Sequence, residues 1–262
     1  MVTRARLDAE LVRRGLARSR GQAAELIEAG RVAVRGITAE KPATVVDRGT
    51  PVTVVATAER QWASRGAHKL IGALDALAVD PAGLRCLDAG ASTGGFTDVL
   101  LERGAREVVA VDVGYGQLVW RLRSDARVRV HDRTNVRALT PAEIGGPAQL
   151  TVADLSFISL RTALPALAAC TEGVLLPMVK PQFEVGKQRL GAGGVVRDPA
   201  LRLAALREVV AAARGLGLRL AGAVASPLPG PSGNVEFFLC LRRDGSDVGD
   251  DTLSRAVETG PS

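Results

Sequence analysis

Charged side chains directly follow several of the predicted strands in residues 84–241. Apolar, strand-like segments end at Asp88, Asp112, Asp132 and Asp154, and another ends at Lys180. Because ligands of open parallel sheets bind at the carboxyl ends of the strands, we expect these five side chains on one rim. Clustered charges of this kind are typical of functional sites. The pattern predicts a cofactor side at the first three acids and a reaction side at the other two residues.

The stretch LDAGASTGGFTD, residues 87–98, predicts a strand, a tight glycine loop and a helix. Gly94 and Gly95 lack a Cβ atom, so the backbone can take a positive φ and a ligand can lie against it. The N–H groups that open the helix are free to face that ligand. The loop could hold S-adenosylmethionine (SAM) or a dinucleotide, and a structural turn beside an ordinary surface aspartate is the alternative.

The glycine spacing favours SAM over a dinucleotide. A dinucleotide-binding fingerprint needs G-x-G-x-x-G, whereas this loop has its glycines at positions 90, 94 and 95. Asp112, at the end of the next strand, is placed to accept hydrogen bonds from both ribose hydroxyls of a nucleoside. A nicotinamide-dependent dehydrogenase is therefore disfavoured.

The elements that must position these residues alternate regularly. Seven strand-like segments begin near residues 84, 108, 128, 149, 173, 218 and 235, with amphipathic helical segments between them. Such alternation predicts an α/β domain with a mostly parallel sheet that is covered by helices on both faces.

The residues that follow the fourth predicted strand, together with the positions of the cysteines, indicate which kind of atom accepts the methyl group. Enzymes that methylate base nitrogens often carry an Asn-Pro-Pro-Tyr-like motif after the fourth strand, where this chain has Asp-Leu-Ser-Phe at 154–157. Carbon methylation usually needs a cysteine nucleophile, and Cys86, Cys170 and Cys240 lie in apolar surroundings away from the predicted rim. An oxygen acceptor remains. A ribose 2′-hydroxyl is a weak acid and calls for a lysine that takes its proton or stabilises the alkoxide.

Composition limits the possible location and partners. The 262-residue chain is 47% apolar, has no run of eighteen apolar residues and lacks a hydrophobic signal segment. We therefore expect a cytoplasmic protein without a membrane partner, and the dispersed cysteines predict buried thiols rather than a disulfide or a metal site. The net charge of +6 lies within residues 1–70, which hold 13 basic and 7 acidic residues. This asymmetry suggests that the first segment contacts a polyanion.

Residues 1–59 are predicted to form a module of their own, with two short helices and several short strands. Six arginines between positions 4 and 20 are suited to phosphate contacts in folded RNA. The segments Arg6–Asp8, Gly15–Arg20 and Ala29–Gly36 resemble the S4-type RNA-binding domain. The predicted RNA-binding residues are Arg4, Arg6, Arg14, Arg18, Arg20 and Arg65.

Two lysines and two acids form a set that resembles the catalytic group of the FtsJ-like 2′-O-ribose methyltransferases: Lys69, Asp154, Lys180 and Glu236. With the S4-type module, the motifs SRGAHKL, LDAGASTGGFTD, VKPQFEVGK and SPLPGPSGNVEFFL resemble the TlyA family of rRNA cytidine 2′-O-methyltransferases, some of which are also labelled haemolysins. The resemblance implies that Lys180 takes the 2′-hydroxyl proton or offsets its loss electrostatically. It implies that Asp154 holds Lys180, and that Lys69 and Glu236 complete the charge network.

The architecture that this resemblance implies is a class I, Rossmann-like SAM methyltransferase with a seven-stranded sheet, preceded by a small α+β S4-like domain. The predicted limits are 1–59 for the S4-like domain, 60–66 for a linker, 67–241 for the methyltransferase domain and 242–262 for a disordered tail rich in Asp, Gly and Ser. The predicted SAM-binding residues are Asp88, Gly90, Ser92, Thr93, Gly94, Gly95, Phe96, Asp112, Val113, Asp132, Arg133 and Asp154.

The expected function is 2′-O-methylation of cytidines in 16S rRNA, 23S rRNA or both, with ribosomal RNA or ribosomal subunits as partner and without a required protein partner. Two other classes stay open. A non-catalytic rRNA-binding or assembly factor would share the module and the loop, since sequence does not report turnover. A membrane-active cytolysin would need an amphipathic or spanning segment, which is not evident.

Overall fold

The computed structural model describes residues 4–55 and 61–261. The chain divides into two compact units, Met1–Gln61 and Trp62–Ser262. This division falls inside the predicted linker, of which residue 60 lies outside the described residues. Gly66, the last residue of that predicted linker, already begins the first helix of the second unit.

The first unit packs two helices against short antiparallel strands. Its elements are β1 (Arg4–Arg6), α1 (Leu7–Arg13), α2 (Arg20–Glu28), β2 (Val32–Val34), β3 (Ile37–Thr38), β4 (Val45–Asp47) and β5 (Val52–Val54). β1 pairs with β4, and the other three strands form a sheet in the order β3-β2-β5. Ser19 caps α2 as its spacing to Gln22 predicts, since its Oγ accepts a hydrogen bond from the Gln22 N–H at 3.2 Å. Leu7, Leu11 and Ile27 are buried between the helices and strands.

The second unit contains the seven-stranded sheet that the sequence predicts. The strands are β6 (Arg85–Ala89), β7 (Glu107–Val111), β8 (Val128–His131), β9 (Ala148–Ala153), β10 (Thr171–Val179), β11 (Arg219–Ala225) and β12 (Phe237–Arg242), in the order β11-β12-β10-β9-β6-β7-β8. β12 runs antiparallel to its neighbours β10 and β11, and the remaining strand pairs of this sheet among the described residues are parallel. The prediction of a mostly parallel sheet is confirmed.

Helices cover both faces of this sheet. They are α3 (Gly66–Ala76), α4 (Gly95–Glu102), α5 (Trp120–Arg123), α6 (Leu160–Ala169), α7 (Pro181–Glu184), α8 (Pro199–Gly215) and α9 (Asp251–Glu258). Successive strand side chains point to opposite faces. Leu87 of β6 accordingly lies in a core with residues of α6, α8 and α9, while its neighbour Cys86 lies in a core with residues of α3 and α4. All three cysteines are buried free thiols, as predicted.

The direction of β12 determines which end of it reaches the functional edge. The carboxyl ends of the parallel strands meet at one edge of a sheet. Because β12 runs the opposite way, the residue that precedes it, Glu236, lies at that same edge. Glu236 therefore lies at the same edge of the sheet as Asp154 and Lys180, which follow β9 and β10.

The prediction of a disordered tail at 242–262 is wrong for its described part. α9 packs Leu253, Ala256 and Val257 into the core beside α8 and β11, and these residues are 0%, 3% and 8% exposed. The Val248 N–H also donates to the Leu220 carbonyl at 2.8 Å. The three apolar residues share one helical face at i, i+3 and i+4 spacing. Because Asp, Gly and Ser dominate the composition of the surrounding residues, this short apolar pattern did not predict a helix.

Replacing Leu253 tests this packing. We expect Leu253→Ala to lower the free energy of unfolding by about 3 kcal/mol, because a fully buried leucine loses its contacts and leaves a cavity. Urea denaturation monitored by circular dichroism measures the change, with Ser254→Ala on the same helix as the control. Equal stability of the two variants would mean that α9 is not docked in solution.

Candidate active site

The loop after β6 brings two chain segments into close backbone contact. Gly90 has a φ of +87°, and a Cβ atom there would overlap the carbonyl oxygen of Asp154. Gly94 has a φ of +100°, and a Cβ atom there would overlap the side chain of Leu122. Only glycine meets both demands, a positive φ and no side chain. Gly94 therefore lets the loop pack closely against Leu122, and it does not line either of the two cavities described below.

Asp112, directly after β7, holds the same loop from the side. Its Oδ2 accepts a hydrogen bond from the Ser92 N–H at 2.8 Å, and its Oδ1 accepts one from the Gly114 N–H at 2.7 Å. The carboxylate lines a cavity of about 420 Å³, together with Gly90, Ser92 and Val113. We call this cavity the loop cavity. It suits a nucleoside whose ribose hydroxyls face the acid, as the sequence predicts.

A second cavity of about 360 Å³ shares four residues with the loop cavity: Gly90, Ser92, Asp154 and Ser156. We call it the lysine cavity, because Lys69 and Lys180 both line it. Its other lining residues are Ser64, Arg65, Gly66, Ala91, Thr93, Gly95, Phe96, Leu228, Pro229, Pro231 and Glu236. Two cavities with a common border can hold a cofactor and an acceptor side by side.

The four residues predicted to be catalytic come together in the lysine cavity. Lys69 Nζ lies 2.6 Å from Glu236 Oε2, and Lys180 Nζ lies 2.6 Å from Asp154 Oδ1. Lys69, Lys180 and Glu236 are buried, at 8%, 9% and 1% exposure. Asp154 is partly exposed. Two charge pairs at one cavity wall can stabilise a negative charge that develops on a substrate oxygen.

Asp88 does not reach either cavity, in contrast to its predicted contact with the cofactor. Its carboxylate is fully buried behind the loop, where Oδ2 accepts a hydrogen bond from Thr97 Oγ1 at 2.7 Å. Burial raises the pKa of Asp88 to about 7. Because its partner Thr97 lies in the first turn of α4, Asp88 anchors the start of that helix.

Asp132 and Arg133 also lie outside the lining of both cavities. The Asp132 carboxylate accepts hydrogen bonds from Arg123 at 2.9 Å and from the Gly116 N–H at 3.3 Å. Arg133 has a φ of +56°, and its guanidinium stacks on the Tyr115 ring at 4.3 Å. β8 ends at His131, and the turn at 132–133 carries both side chains away. The loop cavity is lined instead by residues 134–137.

Two buried carboxylates missed by the sequence analysis anchor the segments around the lysine cavity. Asp98 Oδ2 accepts from the Ala63 N–H at 2.9 Å, and Arg121 donates to Asp98 Oδ1 at 2.8 Å. Glu184 accepts from Ser159 Oγ and from the Leu160 N–H, both at 2.6 Å. Asp98 lies within the predicted loop–helix motif, and Glu184 lies four residues after Lys180. Their positions inside these motifs could have indicated from the sequence that both carboxylates belong to the site.

The site offers no thiol nucleophile. Burial raises the pKa of Cys86 to about 12 and that of Cys170 to about 11, and it also raises the pKa of Cys240. None of these thiols lines either cavity. This arrangement supports the exclusion of cysteine-dependent carbon methylation, which needs a thiolate. Within residues 4–55 and 61–261, no helix is long and apolar enough to cross a membrane.

The predicted RNA-binding arginines of the first unit differ in their surroundings. Arg4 and Arg18 are exposed. Arg6 and Arg20 pair with the buried Asp8 at 3.1 and 2.9 Å, and hydrogen bonds from Arg6 hold the pKa of Asp8 at about 2. Asp8 therefore orients the guanidinium groups of Arg6 and Arg20, whose side chains remain about half exposed.

Arg14 has a structural role that the sequence does not predict. Its guanidinium donates to Glu10 at 2.7 Å and to the backbone carbonyls of Thr50 and Arg48 at 2.8 Å each. These bonds tie α1 to the β4–β5 turn. The side chain is thereby committed within the first unit and is a poor candidate for a phosphate contact.

Comparisons with known proteins agree with this geometry. The model of the FtsJ-like methyltransferase family matches residues 62–243, and that of the S4 domain matches residues 5–52. The chain is 61% identical, over the full length of both chains, to the 16S/23S rRNA (cytidine-2′-O)-methyltransferase TlyA of Mycobacterium tuberculosis. It is 33% identical to Hemolysin A of Brachyspira hyodysenteriae, over 89% of this chain and 98% of the other.

A solved structure supports the same relationship. A protein from Streptococcus thermophilus that carries a hemolysin name is 36% identical to this chain and superposes with a TM-score of 0.77. The match covers 98% of this chain and 96% of the other.

Substitution of Gly90 tests the close contact between the loop and Asp154. We expect Gly90→Ala to weaken SAM binding at least about tenfold, because the new methyl group would displace the Asp154 backbone at the border of both cavities. Isothermal titration calorimetry with SAM measures the effect. Gly83→Ala is the matched control, since Gly83 also has a positive φ, of +72°, but has open space at its Cβ position. Equal affinities would contradict the role of the contact.

Proposed function

The chain belongs to the FtsJ-like methyltransferases, as a TlyA-type member with an S4 domain, and from this premise we propose that it methylates the 2′-hydroxyl of cytidines in ribosomal RNA. The cofactor of the family is SAM. The relative from Mycobacterium tuberculosis is named for both 16S and 23S rRNA, and at 61% identity we propose both as substrates of this chain. The observation that carries the proposal is the convergence of Lys69, Asp154, Lys180 and Glu236 beside the glycine loop.

The residues of the loop cavity fit SAM. Gly90 leaves open the space that a side chain would fill, and Asp112 presents a carboxylate for ribose hydroxyls. Ser92, Thr93, Gly95 and Phe96 line the neighbouring lysine cavity, where they would border the methionine part of the cofactor. Bound there, SAM would supply an electrophilic methyl group for the 2′-oxygen, with the thioether sulfur as its leaving group.

The chain's own residues handle the acceptor and its proton. Lys180 takes the proton of the 2′-hydroxyl, or its ammonium stabilises the oxygen as that proton leaves. Asp154 holds Lys180 through the 2.6 Å ion pair. Lys69 and Glu236 form a second pair across the cavity wall, and their positions favour contacts with the ribose. Leu228, Pro229 and Pro231 add an apolar wall that limits water near the acceptor.

Replacement of Lys180 tests the catalytic assignment. We expect Lys180→Ala to lower the methyl-transfer rate by about 100-fold or more, while SAM affinity changes by less than about threefold. Transfer of labelled methyl groups to rRNA, followed by mapping of 2′-O-methyl ribose, measures the rate and the position. Arg106→Ala, which removes an exposed cation before β7, is the control.

The same experiment separates the enzyme from a non-catalytic RNA-binding factor. A wild-type protein that binds rRNA without methylating it would support the second class. Wild-type rates in Lys180→Ala would remove this lysine from the mechanism.

The first unit is proposed to bind rRNA through its exposed arginines. We expect Arg18→Ala to weaken rRNA binding severalfold and to reduce the slope of log affinity against log salt concentration by about one, the signature of one lost phosphate contact. SAM affinity should stay unchanged. Filter binding at several salt concentrations measures both quantities, with Arg255→Ala on α9 as the control. An unchanged slope would place Arg18 outside the RNA contact.

A further inference from the structure

Ser156 lies where the two cavities meet and contacts the proposed catalytic lysine. It follows Asp154 by two residues, in the loop between β9 and α6, and it is exposed. It lines both the loop cavity and the lysine cavity. Lys180 Nζ donates a hydrogen bond to Ser156 Oγ at 2.8 Å. The serine hydroxyl is therefore in direct contact with the amino group that would handle the proton.

The two oxygen contacts of Lys180 differ in kind. Asp154 Oδ1 lies at 2.6 Å but is buried without a hydrogen-bond partner among the described residues, so this contact is an ion pair that lacks the geometry of a hydrogen bond. The contact with Ser156 has that geometry. Because hydrogen bonds are directional, the serine fixes the direction of one N–H group of Lys180.

A hydroxyl can serve a lysine in both of its charge states. A carboxylate only accepts hydrogen bonds, so Asp154 can contact Lys180 only through the N–H groups of the lysine. Ser156 Oγ can accept from an ammonium and can also donate to the lone pair of a neutral amine. The serine can thus keep the amino group in place before and after a proton arrives.

The loop that carries Ser156 is fixed to the segment that carries Lys180. Glu184, at the end of α7, is 4% exposed and accepts hydrogen bonds from Ser159 Oγ and the Leu160 N–H. Arg161 adds an ion pair to Glu184 at 3.3 Å. Ser156 lies three residues before Ser159, and Lys180 lies four residues before Glu184. The distance between Ser156 and Lys180 is therefore constrained by the bonds of a buried carboxylate.

From these contacts we infer that Ser156 is a positioning residue for Lys180 and relays its proton to solvent. This inference rests on the proposed function. The 2′-hydroxyl proton moves to Lys180 Nζ. An N–H proton of Lys180 then moves to Ser156 Oγ as the serine hydroxyl passes its own proton to a solvent water. Serine and lysine end as they began, and water carries the proton away.

The test compares two replacements of Ser156 in the full-length protein. We expect Ser156→Ala to lower the single-turnover methyl-transfer rate by about tenfold, because the amino group loses its directional contact. The KM for SAM should change by less than about twofold. Ser156→Thr keeps the hydroxyl and should restore the rate to within about twofold of wild type. Ser254→Ala on α9 is the control, and thermal unfolding checks that each variant is folded.

Each outcome either supports or overturns the inference. A slow alanine variant with a restored threonine variant supports it, and partial recovery of the alanine variant by added imidazole, a proton acceptor, supports the relay. A wild-type rate in Ser156→Ala overturns it, as does a threonine variant as slow as the alanine variant. Absence of methyl transfer by the wild-type protein would instead refute the proposed function, so the two failures are distinguishable.

Discussion

Two lysine–carboxylate pairs, in which three of the four side chains are buried, impose the main constraint on the second unit. A charge removed from water needs a partner nearby, and loss of one partner leaves the other uncompensated. Lys69 is 167 residues from Glu236 along the chain, yet their charged atoms lie 2.6 Å apart. The helix before the sheet and the last strand of the sheet must therefore be placed together, and the pairs tie the cavity to the packing of the whole unit.

The sheet satisfies this constraint through one reversed strand. Parallel strands deliver Asp112, Asp154 and Lys180 to one edge by their carboxyl ends. β12 delivers Glu236 to the same edge by its amino end, because it is antiparallel to β10 and β11. β12 is buried between β10 and β11, and Phe237 and Phe238 at its start are fully buried. The position of the acid is thus fixed by the core on both faces of the strand.

Acids in the first unit perform a related task for arginines. Asp8 and Glu10 are 4% and 1% exposed, and each pairs with two arginines. Hydrogen bonds from Arg13 hold the pKa of Glu10 at about 2. A long cationic side chain that is held by such a carboxylate loses less rotamer freedom when it meets a phosphate. The surface is therefore partly organised before any RNA contact.

The sequence alone determined the features that depend on local pattern. Strand ends, the glycine loop and the alternation of strands and helices follow from apolar periodicity and from glycine placement, and the four proposed catalytic residues follow from motif resemblance. Each of these features is visible within a few residues of the chain. The observed seven-stranded sheet has the predicted alternation of strands and helices, and the four proposed catalytic residues line one cavity.

Only the tertiary structure decided which polar side chains face a cavity and which serve the fold. Asp88 and Asp112 both end strands, but the first is buried behind the loop and the second lines the loop cavity. Arg14 and Arg18 belong to one basic segment. The guanidinium of Arg14 donates hydrogen bonds to backbone carbonyls of the β4–β5 turn, whereas Arg18 is exposed. The composition of residues 242–262 gave no sign that α9 packs into the core. Ser156 contacts Lys180, which follows β10 and lies 24 residues further along the chain. These outcomes depend on partners that arrive from distant parts of the chain, and local pattern carries no information about them.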